Sequence, residues 1–370
     1  MKNCIMNDIC ETVTDYVANG SFATLRENVK YLNTPDFARL IRLVDYHNSY
    51  RKETAVYISK ESYEFLSKSK LFGGEIIISN VGNIGESFLC PNLQIPMSLA
   101  PNCIMIKTNQ LDKYIYYYLN SDTGKAKLMS LVSGSAIQKF NKTDFKKMKI
   151  CIHEPSEQQH IVNILGTIDD KIENNLQIMI KIKTYMQLIF LQYEKSTTNN
   201  DDTKIGDYLT FIKGKKPLER LTNQLNYLNI EGMETNIFEI KCADNMIVAE
   251  ENDLLMVMDG ASSGNVYSGY NGIVGSTMAK LLINPKEYTP IIEQKLIQMK
   301  TKIRELNTGS AIPHANKEYI NSLSIKLSNN QKQEILVQQL SLLKNEIFSL
   351  RKQNIQLNHI KQMYLKKFFR

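Results

Sequence analysis

The residue types that usually carry chemistry are present in this chain, but they are dispersed. The five histidines, His47, His153, His160, His314 and His359, stand apart, and no His-Glu-x-x-His sets two ligands on one helical face. The six cysteines, Cys4, Cys10, Cys90, Cys103, Cys151 and Cys242, include no Cys-x-x-Cys pair and read as small buried thiols of a reducing compartment. A phosphate cradle of the form Gly-x4-Gly-Lys-Ser/Thr is missing, since IKGKKPLE at 212–219 has one glycine and no following hydroxyl. An amino-methyltransferase would need Asn or Asp before Pro-Pro and an aromatic residue, and there is no Pro-Pro. DGASSGN, Asp259–Asn265, approaches a nucleophile elbow without its Gly-x-Ser-x-Gly spacing. Glu239-Ile240-Lys241 imitates a nuclease Glu-x-Lys, a triplet common by chance. The expectation is a non-catalytic chain that uses no metal and no cofactor.

What remains is binding chemistry. A net charge of +7 and a pI near 8.8 favour a polyanion such as nucleic acid, though weakly. Hydrophobic residues at 43% and charged residues at 22% suit a folded soluble protein, and 370 residues suffice for two domains. No apolar run approaches the ~20 residues of a membrane span, and MKNCIMNDICETVTDY lacks the apolar core of a signal peptide. A cytoplasmic location is expected.

The elements that must position these groups come in duplicate. SGSAIQKFNKTDFKKMKI, Ser133–Ile150, is echoed 175 residues later by TGSAIPHANKEYINSLSI, Thr308–Ile325. Behind the first copy, apolar residues recur at steps of three and four: Ile161, Leu165, Ile168, Ile172, Met179, Ile182, Met186, Ile189 and Tyr193, with Asn175 in the one wide gap. Behind the second copy the same register gives Leu336, Leu340, Leu343, Ile347, Leu350, Asn354, Leu357, Lys361, Tyr364 and Phe368. Each series is a heptad seam on a long helix. Upstream, GGEIIISNVGNIGE (73–86) parallels ENDLLMVMDGASSGN (251–265), each a buried strand entering a Gly-rich loop. SLAPNCIMIK (98–107) likewise parallels STMAKLLIN (276–284). Helices this long cannot bury their seams in their own small domains, so they are expected to pack antiparallel on each other. Asn175 and Asn354 then either restrict register or sit at the edge of the seam.

At this point the chain resembles the DNA-specificity subunits of Type I restriction-modification enzymes. The likeness is carried by GSAIQKFNKTDFKKMKICIHEPSEQQHIVNILGTIDDKI (134–172), by IGDYLTFIKGKKP (205–217), by the shorter NDICETVTDYVANGS (7–21) and by EIIISNVGNIG. The second junction, SIKLSNNQKQEIL, departs from it in lacking the proline and acidic residue of HEPSEQQ. The resemblance implies an α+β fold with two mixed α/β target-recognition domains, separated by two long antiparallel coiled-coil spacer helices in a pseudo-twofold internal duplication. The corresponding boundaries are 1–153, 154–197 for the first spacer, 198–327, and 328–370 for the second. It implies a subunit without chemistry of its own, with double-stranded DNA, two copies of a methyltransferase subunit and a restriction/translocase subunit as partners, and no membrane. A helical protein–protein scaffold without sequence-specific DNA binding is the competing expectation.

A DNA reader needs cations or amides for phosphates and side chains that reach base edges. In the first half the candidates are Asn80, Asn83, Gln138, Lys139, Lys142 and Lys146. In the second they are Lys213, Lys215, Lys216, Ser262, Ser263, His314 and Lys317, with Arg220 nearby. Any one lysine could equally belong to an ordinary solvated face, and either Gly-rich loop to a plain turn. LVDYHNSYRKETAVYISKE (43–61) has no evident counterpart in the second half, so two unlike half-sites are expected.

Overall fold

A computed structural model describes residues 1–48, 50–134, 138–197, 202–217, 222–309, 312–328 and 330–370. The chain divides into two compact units. The first comprises Met1–Lys171 with Leu357–Arg370, and the second Ile172–Gln356.

Among the described residues the first unit holds ten strands: β1 (Lys2–Ile5), β2 (Cys10–Asp15), β3 (Ala38–Ile41), β4 (Val56–Ile58), β5 (Lys70–Leu71), β6 (Ile76–Ser79), β7 (Ser87–Leu89), β8 (Met97–Leu99), β9 (Cys103–Thr108) and β10 (Lys149–Ile152). They form an antiparallel sheet β2-β9-β6-β7, a mixed sheet β4-β3-β8-β5 whose β3 and β8 run parallel, and the pair β1-β10. The second unit holds β11 (Asp202–Lys204), β12 (Leu209–Lys213), β13 (Gln224–Leu228), β14 (Ile240–Cys242), β15 (Val248–Ala249), β16 (Leu254–Val257), β17 (Val266–Tyr267), β18 (Gly272–Val274), β19 (Met278–Ile283) and β20 (Ser324–Lys326). Its sheets run β12-β19-β16-β17, β14-β13-β18-β15 with β13 and β18 parallel, and β11-β20. Strand for strand this is the order of the first unit. β6 (IIIS) and β16 (LLMV) are buried throughout, as expected of strands with core on both faces.

The repeated phrase explains itself residue by residue. Gly134 and Gly309 lie at φ of +105° and +93°, a region that favours glycine. A Cβ on Gly309 would meet the Ile312 carbonyl oxygen at 2.4 Å. Asn141 and Asn316 cap the short helices α3 (Lys142–Lys147) and α7 (Lys317–Ser322), accepting from the backbone N–H of Asp144 and Tyr319. Phe145 and Ile320 then occupy fully buried positions, and Ile150 and Ile325 enter β10 and β20. Ser135–Ile137, Ser310 and Ala311 fall outside the described residues.

Two other short stretches of helix matter in the first unit, α1 (Asp112–Asn120) and α2 (Asp122–Ser130); α5 (Thr289–Gln298) and α6 (Lys300–Glu305) follow β19 in the second. The long helices are α4 (Pro155–Ser196) and α8 (Gln331–Phe368), and each contributes residues to both units. Inside each unit they run antiparallel. In the first, His160 meets Phe368, with ring centroids 6.3 Å apart, while Asp169 pairs with Lys361 at 2.6 Å. In the second, Asn175 Nδ2 donates to Asn354 Oδ1 at 2.8 Å, and the Tyr193 hydroxyl donates to Gln333 Oε1 at 3.2 Å.

Of the expected seam, Ile161, Leu165, Ile168, Met186, Tyr193, Leu336, Leu340, Ile347 and Leu350 are buried. Ile172, Met179, Ile182, Ile189, Leu343, Leu357, Lys361, Tyr364 and Phe368 are half-buried. Asn175 is fully buried and bonded across the seam, so it restricts register rather than decorating an edge. The helices also carry the cores of the heads. Tyr114 and Tyr117 of α1 pack with Ile161, Leu165, Leu365 and Phe369, whereas Ile291, Ile292 and Leu296 of α5 pack with Phe190, Leu336 and Leu340. Burying one such side chain is worth about 1.5–3 kcal/mol.

Candidate nucleic-acid interface

In each unit the repeated phrase folds back on itself and leans against the Gly-rich loop. In the first, Ser133 and Lys139 exchange backbone hydrogen bonds of 2.9 and 3.0 Å, and Lys139 forms a second bridge to Val81. In the second, Thr308 and His314 exchange bonds of 2.9 and 2.7 Å, and His314 bridges to Asp259. Lys139 and His314 are 175 residues apart, the offset of the repeat itself. One backbone frame is thus built twice, and different side chains stand on it.

The first frame is cationic. Gln138 and Lys139 are exposed, and neither side chain has a partner among the described residues. Asn80 faces inward, its Nδ2 donating to the Phe140 carbonyl at 3.2 Å, which ties loop to phrase. Asn83 is exposed and reaches Glu86 Oε2 at 3.4 Å. Lys142 is held by Asp15 at 2.8 Å, so its charge is locally offset, while Lys146 is half-buried.

The second frame is a mixed cluster. Asp259 accepts from His314 Nδ1 at 2.7 Å through one oxygen and from Lys213 at 2.9 Å through the other. Burial pushes the Asp259 carboxyl up, but the hydrogen bonds and charges of Lys213 and His314 outweigh it and hold the group below its ordinary value. Ser263 is fully buried and accepts from Asn307, so it braces the loop instead of facing outward. Ser262 is half-buried. Lys215 and Lys216 are exposed and unpaired among the described residues, and Lys317 is exposed with Nζ 5.5 Å from the Phe211 ring centroid. Arg220 lies outside the described residues.

Sequence reasoning missed Val81, Asp259 as a partner of His314 and Lys213, and Asp15 as the counter-ion of Lys142. Asp259 alone had left a signal, as the acidic residue directly before a Gly-rich loop. The Asp15–Lys142 pair spans 127 residues and had none. Among the described residues no three of His, Cys, Asp or Glu stand together as metal ligands, and no helix is long and apolar enough to cross a membrane. Burial pushes the thiols of Cys10 and Cys103 up to about 12, which leaves them protonated and unreactive at neutral pH.

Residues 6–184 match the family described as Type I restriction modification DNA specificity domain. That segment, just under half of the chain, is similar to the specificity domain of Type I restriction-modification enzymes. The Type I restriction enzyme MjaVIII specificity subunit of Methanocaldococcus jannaschii is 32% identical over 173 residues, 45% of this chain. That match spans 41% of the relative's own length. The crystal structure of a Type I restriction-modification system S subunit from M. genitalium covers 100% of this chain, and 96% of its own length, at a TM-score of 0.57 and 16% identity. It shares the fold: two α/β heads and a pair of long helices. The family match ends at 184, yet the second unit repeats the strand order of the first.

Proposed function

We propose that this chain is the DNA-reading subunit of a Type I restriction-modification enzyme. Each unit's α/β head reads one half of a bipartite, asymmetric duplex target. The two long helices set the gap between the half-sites and dock two methyltransferase subunits, and a restriction/translocase subunit joins the assembly. The chain itself supplies position rather than chemistry. The observation that carries this reading is the twice-built frame with unlike occupants, Val81 and Lys139 in one head, Asp259 and His314 in the other. A peptide-binding scaffold would have no need for one backbone frame bearing different donors and acceptors, whereas a split target read by two heads requires it.

Mapping modified bases in the host genome tests the reading. The expected result is a methylated motif of two unlike halves separated by a fixed gap, and a genome whose modified bases show no split motif would count against it. Adding one heptad to each long helix lengthens it by ~10 Å, so the gap should widen by about three base pairs at ~3.4 Å each.

A further inference from the structure

Lysines such as Lys215 and Lys216 suit phosphate, because a charge on a flexible stem needs no fixed direction. Reading a base edge demands a donor or acceptor whose place is fixed, and the paired backbone frames fix two candidates, Lys139 and His314, of which His314 is also oriented by its side chain. His314 Nδ1 is bonded to Asp259 at 2.7 Å, the backbone N–H and carbonyl of His314 are both bonded to Thr308, and its neighbours Pro313 and Ala315 are bonded to Gly260 and Met258. The ring also sits over Gly309, where a Cβ would come within 3.0 Å of Cδ2. It is nonetheless 50% exposed, and Nε2 has no partner among the described residues. With Nδ1–H directed to the carboxylate, the neutral imidazole presents Nε2 as an acceptor. Lys139, at the same place on the other frame, presents only donors.

We propose that this position sets the polarity of one base contact in each half-site. His314, oriented by Asp259, accepts a hydrogen bond from an exocyclic base amine, adenine N6 or cytosine N4, whereas Lys139 donates to the O6/N7 edge of guanine. His314 is then a specificity-determining residue and Asp259 a positioning one. The inference rests on the DNA-reading function proposed above and adds to it the chemistry of one base pair per half.

The test is selection from random-sequence duplex at pH 8 by the full chain with its methyltransferase partner, comparing wild type, His314→Lys and Asp259→Ala. Wild type should enrich two unlike halves. His314→Lys should change the preferred base at one position of one half from adenine or cytosine to guanine, and leave the other half untouched. Asp259→Ala should reduce discrimination at that same position by about ten-fold. A purely structural role would instead weaken binding to every sequence alike, with thermal denaturation reporting any loss of folding. If wild type selects a split motif and His314→Lys keeps every base preference, the inference is overturned while the DNA-reading function stands. If wild type enriches no sequence, that function fails first and the inference with it.

Discussion

The two units agree in strand order and differ wherever a charged side chain meets the shared scaffold. The contrast is clearest where each head seats on a long helix, at two positions 175 residues apart. In the first unit Asp169 of α4 accepts from the Tyr117 hydroxyl of α1 at 2.8 Å and pairs with Lys361 of α8. In the second unit the place of Asp169 is taken by Lys344 of α8, which pairs with Glu293 of α5 at 2.7 Å. Glu293 in turn accepts from Ser268 at 2.7 Å. The sign of the helix charge is reversed while the architecture is kept. Duplication preserves what backbone geometry enforces, namely the glycines at positive φ, the asparagine caps and the buried strands. It leaves the polar partners free to change in pairs.

This comparison can be broken most severely at Lys344. Both members of its pair are buried, with side chains 8% exposed, and removing one strands the other. Lys344→Ala should cost about 3–5 kcal/mol, read by thermal denaturation. The matching change in the first unit, Tyr117→Phe, should cost about 1 kcal/mol, since only one hydrogen bond is lost. Between these, Asn175→Leu removes the donor to Asn354 Oδ1 across the seam, an expected loss of about 1–3 kcal/mol. An unchanged melting curve there would remove the register argument.

The smallest effect concerns the frames and sharpens their difference. Asp259 is held below its ordinary carboxyl value of 3.8. Its ionised form therefore stabilises the fold above that value, and this contribution is lost as pH falls through the lowered one. Val81, at the equivalent place, cannot titrate. Acid unfolding of wild type and Asp259→Asn should differ above pH 3.8 and converge as pH falls from there through the lowered value. The Lys213–Asp259 pair is half-exposed, so Lys213→Ala should shift stability by about 0–1 kcal/mol.

How much of this was legible in the sequence follows from distance along the chain. The long helices show in sequence because their apolar residues recur locally at three and four, and the duplication shows because its phrase sits beside those seams. β6 and β16 show as apolar runs. Their pairing does not, since β2 joins β9 across some ninety residues of chain and β3 runs parallel to β8. The polar partners are harder still. The Asp15–Lys142 and Glu293–Lys344 pairs join residues distant in sequence, and nothing local marks an exposed lysine as paired or free. Asn175 shows the middle case: its seam position was visible, and its bond to Asn354 depends on the partner helix arriving in antiparallel register.

The central proposal is that two heads of one design grip two different pieces of DNA. Selection from random-sequence duplex by the wild-type chain, together with the proposed methyltransferase partner, tests this most directly. The account predicts two unlike half-sites at one fixed separation. Enrichment of a single undivided site or of two identical halves, or recovery of no preferred sequence, would contradict it.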